Sequence, residues 1–267
     1  MTYKIIYVVD LHGNKELYEE LVDFANKKEI KAVVIGGDIC PKGTGVDLKE
    51  SIKVQRDFLT DFLSPTFKKC KKPVFLMMGN DDFRVNMDVL EKEEKKGTFK
   101  LLHNKLNKIN NKNIVGYSFV REMPFLLKDW EKLDNEKSKH LTDPKQDIRT
   151  VNKEKGTIKD GLKNLKKLSN PKNTIYVIHS PPFDTNLDVI HNKQNVGSKS
   201  VREFIEKEQP FLTLHGHIHE SPTVSGEFMD KIGETICINP GSEHSDNILN
   251  AAIIDLDNLD DIEHEMI

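Results

Sequence analysis

Short apolar runs alternate with amphipathic stretches along the first half of the chain. Three runs, Ile5–Val9, Ala32–Ile35 and Val74–Met78, are continuously apolar, which is typical of strands whose two faces are both covered. Between them, apolar residues recur at helical spacing within Leu17–Phe24 and within Ile52–Phe62. This alternation predicts parallel strands joined by right-handed helical crossovers.

The second half of the chain predicts fewer helices and more strands. The predicted elements are a strand at Thr174–Ile178, a helix at Ser198–Glu208, and strands at Phe211–Leu214, Thr223–Phe228, Thr235–Ile238 and Ala251–Leu256. The additional short strands predict a mixed sheet or a second sheet. We therefore expect a layered α/β sandwich.

One segment differs in composition from the rest of the chain. From Lys128 to Lys172, Lys, Glu, Asp and Asn dominate, and the single tryptophan, Trp130, lies at its edge. We interpret this segment as a solvated helical insertion within one domain that spans residues 1–267. A cap over a functional site and a dimer contact are the alternatives that the sequence leaves open.

Composition excludes several classes of protein. The 40 basic and 43 acidic residues nearly cancel to a formal charge of −3, so the chain lacks the electrostatic signature of a nucleic-acid or anionic-membrane binder. Its three cysteines have no CxxC spacing, which favours a reducing compartment over a disulfide framework. The chain has no apolar stretch long enough to cross a membrane, and its N-terminus enters a strand directly instead of a signal peptide. We expect a cytoplasmic protein.

Polar residues of one chemical type follow the predicted strands. In open α/β sheets, ligands bind beyond the carboxyl ends of the strands. The residues found there are Asp10, His12, Asp38, Asn80, His179, His217 and His219. Turn propensity explains one Asp or Asn at a strand end, but all of these residues are of metal-ligand type. They predict a metal site.

The ligand types indicate which metals and how many. Carboxylates, an amide oxygen and imidazoles, without a thiolate, suit manganese, iron or zinc. Seven ligands exceed the needs of one tetrahedral ion and fit two ions that share one bridging carboxylate. The charge of two divalent ions exceeds the negative charge of two aspartates. The site would therefore keep a net positive charge, which suits a bridging hydroxide and an anionic phosphate ester.

These residues also resemble a known family. Asp10-x-His12, Gly37-Asp38, Gly79-Asn80, His179 and Gly216-His217-x-His219 occur in the order found in calcineurin-like metallophosphoesterases, and Asn239-Pro240-Gly241-Ser242 is similar to that family's closing loop. The resemblance implies an α/β fold, a four-layer α-β-β-α sandwich with two mixed sheets. It also implies one ion held by Asp10, His12, Asp38 and His219, and another held by Asp38, Asn80, His179 and His217.

One position departs from the family pattern. Many members have a histidine after the asparagine, where it assists the leaving group, but this chain has Asp81. We expect an ionised Asp81 beside two cations, which disfavours phosphomonoester dianions relative to diester monoanions. The chain therefore resembles the small bacterial and archaeal phosphodiesterases that lack the histidine. We assign catalytic roles to Asp38, Asn80 and Asp81.

Several alternatives remain open from the sequence. The enzyme is a phosphodiesterase acting on a small-molecule phosphate ester, a phosphomonoesterase acting on phosphoproteins or nucleotides, or a non-catalytic scaffold that retains the fold; a homodimer is compatible with each. A nuclease is disfavoured by the near-neutral charge.

Other polar residues near the motifs have simpler interpretations. We expect Asp82 to cap a helix that begins near Phe83, and we expect His215 to be structural. Surface placement is the simplest interpretation of Arg84 and His244, and helix capping is the simplest for Ser198, although each of the three could contact substrate.

Overall fold

The computed structural model describes residues 2–43 and 47–267. The strands are β1 (Lys4–Val8), β2 (Ile30–Ile35), β3 (Val74–Leu76), β4 (Lys100–Leu101), β5 (Asn107–Ile109), β6 (Lys112–Tyr117), β7 (Val120–Arg121), β8 (Glu131–Lys132), β9 (Thr174–Ile178), β10 (Leu212–Leu214), β11 (Met229–Ile232), β12 (Thr235–Ile238), β13 (Asn250–Asp255) and β14 (Ile262–Met266). The helices are α1 (Lys15–Lys27), α2 (Leu48–Asp57), α3 (Ser64–Lys68), α4 (Met87–Lys95), α5 (Ile158–Lys166), α6 (Lys199–Glu208) and α7 (Ser221–Ser225), with a π-helical segment, Phe58–Leu63, between α2 and α3. Within this described part, no helix combines the length and apolar character needed to span a bilayer.

The first sheet has the strand order β14-β13-β1-β2-β3-β4. Strands β1 to β4 run parallel, and β13 and β14 extend the sheet by antiparallel pairing. The predicted parallel arrangement of the first three strands is confirmed. Their carboxyl ends open at one edge of the sheet, shortly before Asp10, Asp38 and Asn80 along the chain.

The second sheet has the order β11-β12-β10-β9-β6-β5, with parallel central strands and antiparallel edge strands. Apolar side chains from both sheets, such as Tyr7, Val34 and Val177, fill the layer between them. A larger cluster packs the helices against the outer faces. Alternate strand residues point to opposite faces, so Ile6 and Val8 belong to the outer cluster. The predicted α-β-β-α sandwich with two mixed sheets is confirmed.

One predicted strand is wrong. Thr223–Phe228 contains the second half of α7, which has Pro222 in its first turn and ends at Gly226 with φ of 86°. Proline is favoured at the start of a helix and glycine just beyond its end. The strand, β11, begins only at Met229.

The charged segment also differs from its prediction. Residues 128–157, all of them described, contain β8, turns and bends and no helix, so the predicted helix is restricted to α5 and a 3₁₀ turn at 171–173. Strand β8 pairs in parallel with β7. Lys128, Trp130 and Glu131 are buried. The start of the segment is therefore part of the packed fold, and the prediction of a solvated helical insertion is wrong there.

Candidate metal centre

The seven side chains predicted as metal ligands meet at one edge of the sandwich, where the carboxyl ends of strands from both sheets converge. The ligand atoms of Asp10, His12, Asp38 and His219 all lie within 4.8 Å of one another, and so do those of Asp38, His179 and His217. The Oδ1 atom of Asn80 lies 3.1 Å from Nε2 of His179. Asp38 belongs to both groups.

The two aspartates lie between the histidines. Oδ2 of Asp38 is 3.3 Å from Nε2 of His179 and 3.9 Å from Nε2 of His12. Asp10 is similarly placed, with Oδ1 3.7 Å from Nε2 of His179 and Oδ2 3.9 Å from Nε2 of His219. The ring nitrogens of His12 and His219 approach to 3.1 Å.

Several of these residues have an unusual backbone conformation. The φ angles are 56° at Asp10, 44° at His12, 48° at Asp38 and 69° at His217. Positive φ is uncommon for residues other than glycine, and such strained positions cluster at functional sites. The loops are held by mutual backbone hydrogen bonds, including His12 N–H to the Asp38 carbonyl at 2.9 Å.

Gly79, which precedes Asn80, allows the loops to approach closely. A Cβ atom at Gly79 would lie 2.3 Å from Oδ1 of Asp38 and 2.7 Å from Nε2 of His179. Any side chain there would displace a predicted ligand. The glycine of the Gly-Asn motif therefore has a steric role.

Asp82 joins two of the site loops, and the prediction that it caps a helix is wrong. Its fully buried carboxylate accepts hydrogen bonds from the backbone N–H groups of Ile39 at 3.0 Å, Cys40 at 2.8 Å and Gly79 at 2.8 Å. These donors belong to the loops that carry Asp38 and Asn80. Asp82 therefore fixes the distance between those two side chains, a role the sequence pattern did not indicate.

Hydrogen bonds also orient the ligands across the two sheets. Nδ1 of His179 donates to the Gly36 carbonyl at 2.9 Å, so its Nε2 faces the site. The His217 N–H donates to Oδ2 of Asp10 at 2.8 Å. The Ser242 hydroxyl, in the loop that resembles the family's closing loop, donates to the Asp10 carbonyl at 2.6 Å.

The donor set fits divalent cations. Oδ1 of Asp10 and Nδ1 of His12 are buried and have no hydrogen-bond partner among residues 2–43 and 47–267. Burial, together with nearby Asp38, raises the pKa of Asp10 to about 8, and burial lowers the pKa of His217 to about 3 and of His219 to about 4. His179 differs, because Asp38 and Asp10 outweigh the effect of burial and raise its pKa to about 9. Metal binding would require its neutral form, as it does for every histidine ligand.

Asp81 lies at the rim of this cluster. Its Oδ1 accepts from Nδ2 of Asn80 at 2.8 Å, and its backbone N–H donates to Oδ1 of Asp38 at 2.8 Å. Burial and the charge of Asp38 raise its pKa to about 6. We expected a lowered pKa because two bound cations would favour the ionised carboxylate, so the raised pKa of the metal-free site is opposite to that expectation.

The remaining candidates divide into structural and site residues. His215 is structural as predicted: it is buried, with Nδ1 2.9 Å from the Ile178 carbonyl. Ser198 caps α6 by accepting from the Val201 N–H at 3.0 Å. Arg84 donates to Glu154 at 2.8 Å.

His244 instead lies against the site, with its ring centroid 4.5 Å from that of His12. Lys42 was missed by the sequence analysis. Burial is the main cause of the lowered pKa of His219 and Asp38 opposes it, while the charges of His244 and then of Lys42 lower it further. An exposed lysine in a loop carries no sequence signal of such a position.

Comparison with known proteins agrees with this geometry. A family model described as calcineurin-like phosphoesterase matches residues 3–221. An uncharacterized protein of Methanocaldococcus jannaschii, MJ1162, is 30% identical over 243 residues, which cover 89% of this chain and 87% of the relative.

Two solved structures share the fold. TT1561 of Thermus thermophilus matches with a TM-score of 0.66 at 16% identity, over 100% of this chain and 99% of that one. A structure described as a novel archaeal phosphodiesterase matches with a TM-score of 0.51 at 12% identity, over 99% of both chains. Together with the family match and the clustered ligands, these findings show that the chain belongs to the calcineurin-like phosphoesterase family and is a hydrolase that acts on phosphate esters.

Proposed function

We propose that the protein is a phosphodiesterase that uses two divalent metal ions. The residues that would hold them are Asp10, His12, Asp38 and His219 for one ion, and Asp38, Asn80, His179 and His217 for the other. The observation that carries this proposal is the position of Asp38, whose carboxylate is shared by both ligand groups. Two bound ions would supply charge neutralisation for the ester and a lowered pKa for water.

The side chains around this site would position the ester and control its charge. Asp10 and Asp38 together offset only half of the charge of two divalent ions, so the site would attract an anion. Asp81 holds the Asn80 amide through the 2.8 Å hydrogen bond, which leaves the Asn80 Oδ1 turned toward His179. We assign Asp38 and Asn80 to catalysis as ligands and Asp81 to control of the substrate's charge.

The preference for diesters depends on Asp81. Its pKa of about 6 leaves it mainly ionised at neutral pH, and 35% of its side chain is exposed at the rim. A carboxylate at this position repels a monoester dianion more than a diester monoanion. It also supplies no imidazole to protonate a poor leaving group, so turnover should depend strongly on leaving-group acidity.

The test compares bis(p-nitrophenyl) phosphate with p-nitrophenyl phosphate in protein loaded with manganese or zinc. We expect the wild type to have the higher kcat/KM for the diester. Asp81→His removes the charge and supplies a group that titrates near neutrality, so it should shift the ratio toward the monoester. General acid catalysis is typically worth about 10²–10⁴-fold, which sets the upper bound of that shift.

Metal content must be equal in both proteins for this ratio to be interpreted. An unchanged or reversed ratio at equal occupancy would contradict the role given to Asp81 and would favour the alternative of a phosphomonoesterase. Hydrolysis of neither ester, with both ions bound, would favour a non-catalytic scaffold. Elemental analysis that found at most one ion per chain at saturating metal would contradict the two-ion site.

The proposal also covers the metals, the cellular compartment and the size of the substrate. The nitrogen and oxygen ligands are compatible with manganese, iron or zinc. Cys40, Cys70 and Cys237 are unpaired, which supports a reducing compartment such as the cytoplasm. The substrate would be a small-molecule phosphate ester.

A further inference from the structure

A cavity of about 500 Å³ lies between the loop after His179 and the charged segment. One wall includes Phe183, four residues beyond His179, and another includes Arg121, at the end of β7. Strand β7 follows β6, the parallel neighbour of the strand that leads into His179. The N–H of Ser198, which lies between the lining residues Gly197 and Lys199, donates to the carbonyl of Pro181 at 2.9 Å, two residues beyond His179. The cavity therefore lies beside the loop that follows this predicted ligand.

The lining of this cavity carries an excess of unpaired positive charge. Its cations are Arg121, Lys137, Lys139 and Lys199, and its acids are Glu122 and Asp134. Both acids are already engaged. Glu122 lies 2.7 Å from Nδ1 of His140, and Asp134 accepts from the Ser198 hydroxyl and the Ser200 N–H. Among the described residues, no carboxylate forms an ion pair with any of the four cations.

Arg121 is the most informative of these residues. It is half-buried, and its Nε donates to the Val196 carbonyl at 2.5 Å. This bond fixes the guanidinium while its two terminal nitrogens have no partner within the described chain. A planar fork of N–H donors matches phosphate and carboxylate geometry. A partly desolvated charge without a counterion is costly, which favours an anion at this position.

We propose that this cavity, the Arg121 cavity, binds a second anionic group of the substrate. The substrate is then an organic phosphate ester of nucleotide size with a charged group beyond the ester that is cleaved. The volume suits such a ligand, and Leu133, Leu141 and Phe183 supply apolar contacts for its organic part. The identity of the ligand as a substrate rests on the proposed function, whereas anion binding by the cavity does not.

The experiment measures binding without metal, so that the metal centre contributes no anion site. Pyrophosphate, ADP and adenosine are titrated by calorimetry into protein treated with EDTA. We expect pyrophosphate and ADP to bind and adenosine to bind far more weakly. Arg121→Gln should raise both dissociation constants about tenfold or more, since it removes charged hydrogen bonds. Arg121→Lys should give a smaller loss, because it keeps the charge without the fork.

A second variant keeps the test valid if Arg121→Gln is unstable. Lys137→Ala/Lys139→Ala removes two exposed side chains and should weaken pyrophosphate binding about fivefold. The matched control, Lys95→Ala/Lys108→Ala, removes the same charge at exposed positions outside the cavity lining. It should change the dissociation constant less than about twofold, because screening limits distant surface charges.

Three results would overturn the inference. The first is that the wild type does not bind pyrophosphate. The second is that the cavity and control double variants lose equal affinity for pyrophosphate, and the third is that adenosine binds as tightly as ADP. Failure of the proposed function would be seen separately, as absent diester hydrolysis by metal-loaded protein. Binding of anions by the metal-free protein does not depend on that activity.

Discussion

The metal centre and the start of the charged segment both bury charged side chains, but they satisfy them differently. In the metal centre, Oδ1 of Asp10 and Nδ1 of His12 are buried and find no hydrogen-bond partner in the described part of the chain. In the charged segment, Lys128 and Glu131 are also buried, with Nζ and Oε2 2.6 Å apart. Buried polar atoms are normally hydrogen-bonded. The unpartnered atoms of Asp10 and His12 lie where other residues of ligand type converge, which favours a binding role, whereas Lys128 and Glu131 satisfy each other's charge in a structural pair.

The two regions are also in direct contact. Arg84, which follows the Asn80 loop, lies 4.6 Å from the Trp130 ring and 2.8 Å from Glu154. Its backbone N–H donates to Asp129 at 2.9 Å. The charged segment thus supports the loop that carries a predicted ligand. Its removal would take away Trp130 and leave Arg84, His103 and Phe119 without the ring they pack against, so we do not expect a deletion of residues 128–172 to leave the metal centre intact.

Asp38→Ala tests the metal centre and should have the largest effect on activity. Mutation of a residue that only hydrogen-bonds a metal ligand typically costs about 10–100-fold in activity. Asp38 would contact both ions itself, so its loss should lower kcat/KM for bis(p-nitrophenyl) phosphate by more than about 1,000-fold. Circular dichroism should show a folded protein, and elemental analysis should show fewer ions per chain. Retention of a tenth of the wild-type activity would mean that Asp38 is not the bridge.

Lys128→Met tests the paired charges of the other region. Removal of one partner of a buried ion pair costs about 3–5 kcal/mol of unfolding free energy, measured by urea denaturation. Burial raises the pKa of Glu131 to about 7 even beside Lys128, so pH 8 is the condition under which the orphaned carboxylate would be ionised. The double variant Lys128→Met/Glu131→Leu should recover most of the loss.

The matched control for Lys128 is the exposed pair Lys53–Asp57, whose charged atoms lie 2.5 Å apart. Lys53→Met should change the unfolding free energy by less than about 1 kcal/mol, because solvent screens exposed ion pairs. If the two lysine variants were equally stable, the distinction between buried and exposed charge drawn above would be wrong.

His103 packs against Trp130 of the charged segment and should give a smaller effect than Lys128, one that depends on pH. Its ring centroid is 4.8 Å from that of Trp130, and its Nδ1 accepts from the Ser118 N–H at 3.0 Å. Burial, with a contribution from Arg84, lowers its pKa to about 3. The unfolded state therefore binds the proton more readily, and stability is lost as the pH falls below about 6.5 toward 3.

His103→Gln should remove this dependence. Between pH 6.5 and pH 5, the wild type should lose about 1.5 kcal/mol of unfolding free energy more than the variant, from linkage over that interval. The measurement is urea denaturation of both proteins at the two pH values in EDTA. If the wild type and the variant lost the same unfolding free energy between the two pH values, His103 would not be held neutral by its contact with Trp130.

Much of the fold was predictable because its signals are local. The runs that became β1, β2 and β3 are apolar at every position, as strands covered on both faces require. The polar residues that follow them, such as Asp38 and His179, were identifiable as candidate ligands for the same reason. The parallel order of the strands then implied that these residues share one edge of the sheet.

The sequence by itself thus determined the class of fold, the family and the residues proposed as ligands. Only the tertiary structure revealed that Asp82 ties two loops together, that Lys128 is buried and that Arg121 faces a cavity. Each of these depends on partners that local periodicity does not specify. The bonds from Asp82 to Ile39 and from Arg121 to Val196, for example, cross 43 and 75 residues of chain. Whether a charged side chain is paired, exposed or left free for a ligand is decided by such distant contacts, and composition alone contains no record of them.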